Sequence, residues 1–460
     1  MPKIVAGVDS STQSVKVVLR EADSGELIAA TSRPHPDGTE VDPSEWKRAL
    51  ESALDEVSKY KIDAISIGGQ QHGMVALDAE GNVIRDALLW NDTRSDQAAL
   101  DLNHEIPDIH KRTGSRLVAS FTASKVRWLA DHEKANAEKV AAIALPHDWL
   151  SWHLSGARSL ETLFTDRSDA SGTGYFDSVK NEYCRDIFTT ALRNNREVAL
   201  PRITKPNEFG GTTTTGAHIA AGAGDNAGAA LGLGAGVGDL VISLGTSGTA
   251  FAVSSTSTHD SSGEVAGFAD ATGNFLPLAC TLNAAKIFNT VATTLGISFD
   301  EFSQLALNAK PGAEGLRVIP HFDGERTPNR PQARGRFHGI THSNFTRANI
   351  ARAAIEGVIA GMVYATQAVE KLGVNYSRVL LIGGAAKNSA VQQIAADFFA
   401  KTMNLPPTGE YVADGAAKQA AWALSGSTQP PQWRLGDVKE ISPANEVKEI
   451  VADYMELIRS

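Results

Sequence analysis

The hydrophobic and polar residues of this chain follow the spacing of β-strands in some segments and the spacing of one-sided helices in others. The two kinds of segment alternate along the chain. Residues 4–8, 15–20 and 27–31 are short apolar runs separated by turns of Ser, Thr and Gly, a pattern typical of β-strands. Residues 44–59 instead carry apolar side chains at the spacing of a helix with one buried face. Because this alternation continues to the C-terminus, the pattern predicts an α/β protein.

Two distant segments share one layout, which suggests an internal repeat. Residues 4–19 (IVAGVDSSTQSVKVVL) and 240–253 (LVISLGTSGTAFAV) each contain an apolar strand, a short turn of small residues and a second β-rich strand. Each segment therefore predicts a β-hairpin whose tip is built of hydroxyl and Gly residues. Two ordinary hairpins would give the same pattern, so the layout alone leaves both interpretations open.

The length of the chain indicates two domains, because 460 residues exceed what one hydrophobic core of ordinary size serves. Residues 216–239 contain eight Gly and eight Ala, a composition that fits a flexible linker as well as a tightly packed helix. We place the junction there and predict an N-terminal domain at 1–238 and a C-terminal domain at 239–443. Residues 444–460 are predicted to form a C-terminal helix that could pack back on the N-terminal domain.

Charge and cysteine content narrow the class of protein. The formal net charge is −10 and basic residues are not clustered, which argues against a nucleic-acid partner. Cys184 and Cys280 lie far apart without metal-ligand spacing, so neither a disulfide framework nor a zinc site is expected. The N-terminal apolar run is too short for a signal peptide, and no run approaches the roughly 18 apolar residues of a membrane span. We therefore expect a cytoplasmic protein without a membrane partner.

The tips of the two predicted hairpins are candidate phosphate-binding loops. Small residues allow backbone N–H groups to approach phosphate oxygens, and hydroxyls add further donors. Asp9 ends the first predicted strand beside its tip, where a carboxylate can hold Mg²⁺; the alternative is a turn-forming Asp that caps the hairpin. The candidate nucleotide-binding residues of the tips are Ser11, Thr12, Gln13, Gly245, Thr246 and Ser247.

Asp225 interrupts the Gly- and Ala-rich junction and is followed directly by Asn226. A carboxylate on such a turn can approach the hydroxyl of a small molecule closely. However, Asp is also a favoured N-cap, and the Ala-rich segment that follows could form a helix. The residues alone leave these two roles of Asp225 equally open.

Several longer motifs resemble, in the same order, those of the FGGY family of carbohydrate kinases, which belongs to the actin-like ATPase superfamily. The resemblance covers nearly the whole chain. It rests on VDSSTQSVKVVL, GGQQHGMVALD, LLWNDTRSDQ, LPHDWLSWHLSG, TDRSDASGTGYFD, AGAGDNAGAALGLG, SLGTSGTAFAV, FDGERTPNRPQARGRFHGI and LLIGGAAKNSAVQQIAADF.

This resemblance implies two actin-like, ribonuclease H-like α/β domains around a deep central cleft. It implies ATP and Mg²⁺ as cofactors and phosphoryl transfer to a sugar hydroxyl, with the sugar on the N-terminal domain and ATP on the C-terminal domain. The motifs are most similar to those of members that phosphorylate xylulose, and a homodimer is a family-level expectation. The alternatives are kinases of ribulose, glycerol or gluconate, a non-enzymatic actin-like ATPase, and a sugar-responsive transcription regulator, for which we expect no room before the first strand.

The family pattern also implies roles for the acidic candidates. Asp225 corresponds to the general base that accepts the proton of the sugar hydroxyl. Asp9 and Asp225 are the expected Mg²⁺ ligands. Asn226 is expected to contact the substrate as well.

On the sugar side, Gln71, His72 and Gly73 correspond to a segment that lines the sugar site of the family. Gln71 replaces a Met that is common there, while the other two residues match the pattern. Trp90 and Asn91 follow another predicted strand and are expected to lie nearby. Trp90 could pack on the apolar face of a sugar, and a buried core Trp is an equally good interpretation.

On the nucleotide side, the turn that opens with Gly383 and Gly384 follows a predicted strand and precedes a helix. Such a turn lets an adenosine lie against bare backbone, and its resemblance to the adenosine motif of the family adds Ala385 and Asn388 as candidates. The first hairpin tip departs from the family pattern, because Ser11 stands where Gly is usual.

Most basic residues near these motifs are expected to be solvated. Lys16 lies on the second strand of the first hairpin, where its side chain faces either phosphates or water. The Arg residues within 326–336 lie in a Pro-bounded loop. This loop resembles the second-domain signature of the family, so it identifies the fold better than any catalytic role.

Overall fold

The strands of the computed structural model, which describes residues 2–459, form two seven-stranded sheets and five two-stranded ribbons. Met1 and Ser460, the outer ends of the predicted domains, lie outside the described residues. In chain order the strands are β1 (Ile4–Ser10), β2 (Ser14–Glu21), β3 (Leu27–Pro34), β4 (Glu40–Val41), β5 (Ala64–Gly69), β6 (Val75–Leu77), β7 (Ala87–Leu88), β8 (Ala142–Ala144), β9 (Phe164–Thr165), β10 (Phe176–Asp177), β11 (Glu182–Tyr183), β12 (Arg202–Ile203), β13 (Phe209–Thr212), β14 (His218–Ala220), β15 (Ala223–Gly224), β16 (Asp239–Leu244), β17 (Gly248–Ala252), β18 (Val265–Ala269), β19 (Phe275–Thr281), β20 (Arg317–Ile319), β21 (Arg336–His338), β22 (Arg378–Ile382), β23 (Met403–Leu405) and β24 (Lys439–Ile441).

The helices surround these sheets. In chain order they are α1 (Pro43–Glu56), α2 (Asp96–Glu105), α3 (Ile109–Thr113), α4 (Thr122–His132), α5 (Lys134–Ala137), α6 (Pro146–Leu154), α7 (Arg167–Ala170), α8 (Arg185–Leu192), α9 (Asp225–Leu233), α10 (Ala285–Leu295), α11 (Phe299–Asn308), α12 (Arg347–Glu370), α13 (Ser389–Phe399), α14 (Tyr411–Ser425) and α15 (Lys448–Arg459), with short 3₁₀ turns at Leu160–Thr162, Ser171–Thr173, Ala313–Gly315 and Gly384–Lys387. Each helix of the described chain is too short or too polar to cross a lipid bilayer.

Helix α1 shows how local sequence sets an element. The Asp42 side chain caps the helix by accepting a hydrogen bond of 2.8 Å from the backbone N–H of Ser44. Pro43 stands at the first helical position, where its missing N–H costs nothing. Trp46 and Leu50 lie one turn apart and are buried against the first sheet. The helix expected from the apolar spacing is therefore present.

Both sheets contain the same arrangement of strands. β1 pairs antiparallel with β2 and parallel with β5, and β16 pairs antiparallel with β17 and parallel with β22. The two segments that share a sequence layout are thus the central hairpins of two sheets. The mixed α/β class predicted from the sequence is confirmed.

One edge of the first sheet gathers the ends of three strands. Ser10 of β1 is paired with Gly69 of β5, and Gly69 is paired with Gly224 of β15. The segments that follow these residues begin with Ser11, Gln70 and Asp225. Because the pairing is parallel, the three segments leave the sheet side by side, as at the ligand-binding edge of other α/β proteins.

Helix α14 belongs by sequence to the predicted C-terminal domain but packs on the first sheet. Its Ala413, Ala417 and Ala420 are buried in one cluster with Val5 and Val18 of the β1–β2 hairpin. Helix α14 thus connects the two sheets physically. The boundaries proposed at residues 238 and 443 stay predictions, since this segment crosses between the two halves.

Backbone contact between α14 and α9 is unusually close. A Cβ atom at Gly415 would lie 1.9 Å from the carbonyl oxygen of Gly228, and one at Gly232 would lie 2.1 Å from that of Tyr411. Only glycine allows backbones to approach to this distance. The Gly- and Ala-rich junction is therefore a tightly packed helix rather than a flexible linker.

The C-terminal helix α15 corrects one prediction. Its Tyr454, Met455 and Ile458 are buried in the core of the second sheet, so the helix does not pack back on the N-terminal domain. It also begins later than predicted, because the backbone N–H groups of Ala444 and Asn445 donate to the Asp397 carboxylate at 2.7 and 3.2 Å. Those bonds hold Ala444 and Asn445 at Asp397, outside the helix.

We predict that Gly415→Ala lowers the midpoint of thermal unfolding. The added methyl group must displace the backbone of α9, and such overpacking costs about 1–3 kcal/mol. Gly361→Ala is the matched control, since Gly361 is also in a helix interior and no atom lies within 4 Å of the new Cβ. The control should be neutral or stabilising by about 0.5–1 kcal/mol. Equal midpoints for the two variants would show that the helix contact is not tight.

Candidate active site

Two cavities meet at the edge where the strands of the first sheet end. The larger has a volume of about 850 Å³ and the smaller about 230 Å³. Sites for small molecules usually measure roughly 300–1,000 Å³, so the smaller cavity suits only a small ligand. Four residues line both cavities: Asp225, Asn226, Ser243 and Gly245. Two ligands can therefore meet at Asp225.

Asp225 is the first residue of α9, and Gly224 occupies the N-cap position. Its carboxylate oxygen Oδ1 accepts hydrogen bonds from the backbone N–H and from the side-chain amide of Asn226, both at 2.7 Å. Burial raises the pKa of Asp225 to about 6, although these two hydrogen bonds oppose the shift. A carboxylate with this pKa is ionised at neutral pH and is matched to accept a proton there.

Asp9 lies at the end of β1 and lines the larger cavity. The Ser11 hydroxyl donates to its Oδ1 atom. Burial raises the pKa of Asp9 to about 6; Ser11 and Lys16 lower it, and the negative charge of Asp225 raises it further. Two carboxylates that line one cavity and repel each other are the hard oxygen donors that Mg²⁺ prefers. The donor set therefore fits a divalent cation.

His72 lines the smaller cavity with a defined tautomer. Its Nδ1 atom lies 2.6 Å from the carbonyl oxygen of Gly172, which only accepts, so Nδ1 carries the proton. Burial lowers the pKa of His72 to about 3, so the ring is neutral and Nε2 is a hydrogen-bond acceptor. The ring packs beside Phe121 and Phe268, with centroids 4.8 and 5.5 Å away. A neutral acceptor of this kind suits a hydroxyl group.

The other predicted sugar-side residues divide into two groups. Gln71 and Trp90 line the smaller cavity. Gly73 lies outside it, where a Cβ would meet Pro146 at 2.6 Å. Asn91 also lies outside both cavities and donates from its side-chain amide to a backbone carbonyl at 3.4 Å. Gly73 and Asn91 are thus packing residues and not part of the cavity wall.

The tip of the first hairpin contacts the cavities through one predicted residue. Ser11 lines the larger cavity. Thr12 instead accepts a hydrogen bond of 2.8 Å from Nε1 of Trp90, which links the tip to the smaller cavity. Gln13 is exposed, and its carbonyl accepts from the backbone N–H of His35 at 2.8 Å. Ser11, which stands where the family pattern has Gly, therefore lies at the wall of the larger cavity.

The tip of the second hairpin lies between the two cavities. Gly245 lines both, whereas Ser247 lines only the smaller one. Thr246 is exposed, and its carbonyl accepts from the backbone N–H of Ala284 at 3.3 Å. Of the three predicted residues, Gly245 is therefore the one placed where two ligands would meet.

The predicted adenosine turn follows β22. Gly383 and Gly384 line the larger cavity, and Gly383 takes a φ of 95°, where a Cβ atom would lie 2.5 Å from the carbonyl oxygen of Leu244. Ala385 is buried behind them. Asn388 is buried too, because its Oδ1 atom caps α13 by accepting from the backbone N–H of Ala390 at 2.9 Å. Asn388 is thus a helix cap and not a cavity residue.

Sequence reasoning missed one wall of the larger cavity. Residues 405–412, which join β23 to α14, line it together with Lys16. Nζ of Lys16 lies 2.5 Å from a carboxylate oxygen of Glu410, so this lysine is not simply solvated. The one sequence signal for this wall is the run Pro406-Pro407-Thr408-Gly409, which fits neither the strand spacing nor the helix spacing. That run marks a turn but gives no indication of its neighbour.

The smaller cavity receives a second wall from the second half of the chain. Phe268, Leu278, Cys280 and Arg326 line it together with His72. Arg326 is half-buried, in contrast to the exposed Arg334 of the same loop. Arg326 is therefore an exception to the expectation that most arginines of this loop are solvated. The sequence around Arg326 indicates a polar loop, but it does not indicate which surface this loop contacts.

Comparison with known proteins adds to this geometry. The N-terminal domain of the FGGY family of carbohydrate kinases matches residues 4–239, and the C-terminal domain of that family matches residues 240–424. A xylulose kinase of Streptomyces coelicolor is 41% identical over 441 residues, which cover 92% of this chain and 88% of that protein. A xylulose kinase of Streptomyces rubiginosus is 40% identical with the same coverage. The crystal structure of xylulose kinase from Bifidobacterium adolescentis has a TM-score of 0.91 and 44% identity, and the match covers 99% of both chains.

We predict that Asp225→Asn stabilises the protein more at about pH 8 than at about pH 5. Because the pKa of Asp225 is higher in the folded state than in the unfolded chain, the folded state binds the proton more tightly, and stability falls as the pH rises toward the folded pKa. The side-chain amide of the Asp225→Asn variant does not ionise, so the variant does not lose stability in this way. Thermal unfolding of both proteins without metal at the two pH values measures the effect. A gain of equal size at both values would contradict the raised pKa.

Proposed function

Because the chain belongs to the FGGY family of carbohydrate kinases, we propose that it phosphorylates D-xylulose to D-xylulose 5-phosphate with ATP as the donor. Membership confirms the family, the kinase activity and the fold of two actin-like domains expected from the sequence motifs. The observation that carries the proposal is the position of Asp225 on the shared wall of two cavities of different size. The similar proteins named as xylulose kinases support the choice of sugar.

We assign ATP to the larger cavity and the sugar to the smaller one. The adenosine lies against Gly383 and Gly384 on one side and residues 405–412 on the other. The triphosphate then extends toward the tips of the two hairpins, where Gly245 stands at the opening to the smaller cavity. This arrangement brings the γ-phosphate to the sugar hydroxyl, and positioning of this kind supplies most of the catalysis in phosphoryl transfer.

The proton of the attacking hydroxyl passes to Asp225. Asn226 holds Oδ1 of this carboxylate through two hydrogen bonds, which fixes the orientation of the group. Nε2 of His72 accepts from another sugar hydroxyl, and the side-chain amide of Gln71 offers both a donor and an acceptor. These groups orient the terminal hydroxyl toward both the base and the phosphate.

Charge on the transferring phosphoryl group is offset by donors of the chain itself. Ser11 and Gly245 of the hairpin tips line the larger cavity together with Lys16, and we assign their N–H, hydroxyl and ammonium groups to the phosphates as donors. The two walls of each cavity come from both halves of the chain, so closure of the cleft would exclude water from the reacting groups. Exclusion of water prevents hydrolysis of ATP without transfer.

We further propose that Asp9 and Asp225 hold Mg²⁺. When bound, this cation would offset phosphate charge and the repulsion between the two carboxylates. Asp9→Asn should therefore raise the Mg²⁺ concentration that gives half-maximal activity. A Mg²⁺ titration of the kinase assay measures this shift, with the exposed Asp186→Asn as the control that leaves the titration unchanged. An identical titration for Asp9→Asn and wild type would exclude Asp9 as a ligand.

Another sugar kinase of the same family is the remaining alternative for the substrate. Kinases of ribulose, glycerol and gluconate would use the same ATP site and differ only in the smaller cavity. Membership of a kinase family leaves no support for a non-enzymatic ATPase. The cytoplasmic location and the homodimer expected from the sequence stay predictions.

We predict that Asp225→Asn lowers kcat by about 10²–10⁴-fold, the usual contribution of a general base. ATP binding should persist, because the amide leaves the larger cavity intact. A coupled ADP-release assay with xylulose, ribulose, glycerol and gluconate measures the turnover, and binding of an ATP analogue checks the fold. Asp186→Asn is the control. Wild-type turnover in Asp225→Asn would refute the catalytic role, whereas a stronger response to another sugar would refute only the substrate.

We predict that Arg326→Ala raises KM for the sugar by roughly tenfold or more, the effect of losing a hydrogen bond to a charged group. KM for ATP should change little, because Arg326 lines the smaller cavity and the larger one is formed by other described residues. Arg334→Ala, in the same loop but exposed, is the matched control. A change confined to KM for ATP would contradict the placement of the sugar in the smaller cavity.

A further inference from the structure

A buried charge cluster lies behind the active site, outside both cavities. The side chain of His147, the second residue of α6, has no exposed surface, and Asp148, Asp166 and Asp169 are buried around it. Nε2 of His147 lies 3.3 Å from an oxygen of Asp148, 3.4 Å from one of Asp166 and 3.1 Å from one of Asp169. One ring nitrogen thus faces three carboxylates.

Charge balance requires a cation at this point. Three ionised carboxylates without a positive partner would be far too costly to bury. Burial opposes protonation of the imidazole, but the three carboxylates outweigh it and hold the pKa of His147 well above its usual range. Burial also raises the pKa values of Asp148 and Asp169, so protons on these groups reduce the remaining negative charge. The cluster is neutralised most directly by a protonated His147.

The cluster is connected to Asp225 through one serine. Oδ2 of Asp166 accepts hydrogen bonds from the backbone N–H and from the hydroxyl of Ser168, at 2.6 and 2.5 Å. The same hydroxyl oxygen accepts from the backbone N–H of Gly224 at 3.1 Å. Gly224 directly precedes Asp225. The carbonyl of Ser168 also accepts from the side-chain amide of Gln71 at 3.2 Å, so one serine holds both sides of the site.

His147 also packs against both strand ends that carry the site. A Cβ atom at Gly69 would lie 2.9 Å from Cβ of His147, and one at Gly222 would lie 2.5 Å from its Nδ1. Gly69 is followed by the Gln71–His72 segment, and Gly222 precedes Asp225 by three residues. The backbone and Cβ of His147 are therefore packed against Gly69 and its imidazole against Gly222, so a shift of this residue would move both segments.

We propose that His147 is a permanently charged imidazolium that positions Asp225 and Gln71 through the buried carboxylates. It touches neither cavity, so it is a positioning residue and not a catalytic one. The proposal rests on the role proposed for Asp225. The same side chains include donors for a metal ion, since ligand atoms of His147, Asp148 and Asp169 lie within 4.8 Å of one another. A bound metal is therefore a competing outcome that the test must distinguish.

The first test measures the imidazole directly and needs no activity. In full-length protein labelled with ¹⁵N-histidine, the resonances that disappear in His147→Gln belong to His147. Both ring nitrogens should be protonated up to about pH 8, well above the ordinary pKa of about 6.5. A single protonated nitrogen at neutral pH would overturn the proposal. Stoichiometric metal in the purified protein, lost in His147→Gln, would overturn it as well.

The second test separates charge from structure by kinetics. His147→Gln removes the charge and should lower kcat by up to about 10²-fold, because a small displacement of a base has effects of this size; KM for ATP should be unchanged. His147→Lys keeps a positive charge but cannot replace imidazole as a metal ligand, so it should recover most of the loss. His153→Gln, on the same helix and half-buried, is the control with normal kcat.

Each kinetic outcome decides a separate point. Normal kcat in His147→Gln would refute the positioning role even if the imidazole is charged. Equal losses in the Gln and Lys variants would show that charge is not what the cluster needs. If His147→Gln fails to fold, the Lys variant and the wild-type pH series of the ¹⁵N spectrum still decide the proposal. If Asp225 is not the general base, Asp225→Asn will show normal turnover. This result does not depend on the His147 variants.

Discussion

The pairing of Gly224 with Gly69 at the end of the first sheet is the constraint on which the site depends. It sets the start of α9, and with it Asp225, beside the segment that carries Gln71 and His72. Because the pairing is backbone to backbone, it is independent of any ligand. The proton acceptor and the sugar-orienting groups are thus next to each other before the substrate binds. The reactive geometry is therefore preorganised.

A second constraint connects this site to the other half of the molecule. Helix α9 begins with Asp225 and packs through Gly228 and Gly232 against α14, whose first two residues belong to the wall of the larger cavity at residues 405–412. The base and the nucleotide wall are therefore the starts of two helices in backbone contact. A movement of α9 relative to α14 would have to change this contact. The position of the base is therefore linked to the position of the bound nucleotide.

The sequence predicted the parts of the fold that depend on local pattern. Alternation identified the strands of both hairpins, and helical spacing identified α1. Motif resemblance identified Asp225, His72 and Gly383, each of which lies at a cavity wall. The contributions of Arg326 and residues 405–412 could not be predicted, and the position of Lys16 stayed open, because these contacts depend on which surfaces meet between elements far apart in the chain.

The same reason explains why some predicted site residues lie outside both cavities. Gly73, Asn91 and Asn388 belong to motifs whose neighbours line the site, but their own side chains or backbones are used for packing and capping. Periodicity predicted helix α15 and not its partner, and it gave no sign that α14 crosses to the first sheet. A local pattern specifies what an element is, whereas its partner is decided by the shape of surfaces brought together only by folding.

The central claim is that nucleotide and sugar meet at the carboxylate of Asp225. A crystal structure with a non-hydrolysable ATP analogue, Mg²⁺ and xylulose tests this claim most directly. We expect the nucleotide in the larger cavity, the sugar in the smaller one, and the terminal hydroxyl about 2.6–3.2 Å from a carboxylate oxygen of Asp225. A sugar bound outside the smaller cavity, or a terminal hydroxyl turned away from Asp225 in the closed complex, would contradict the account.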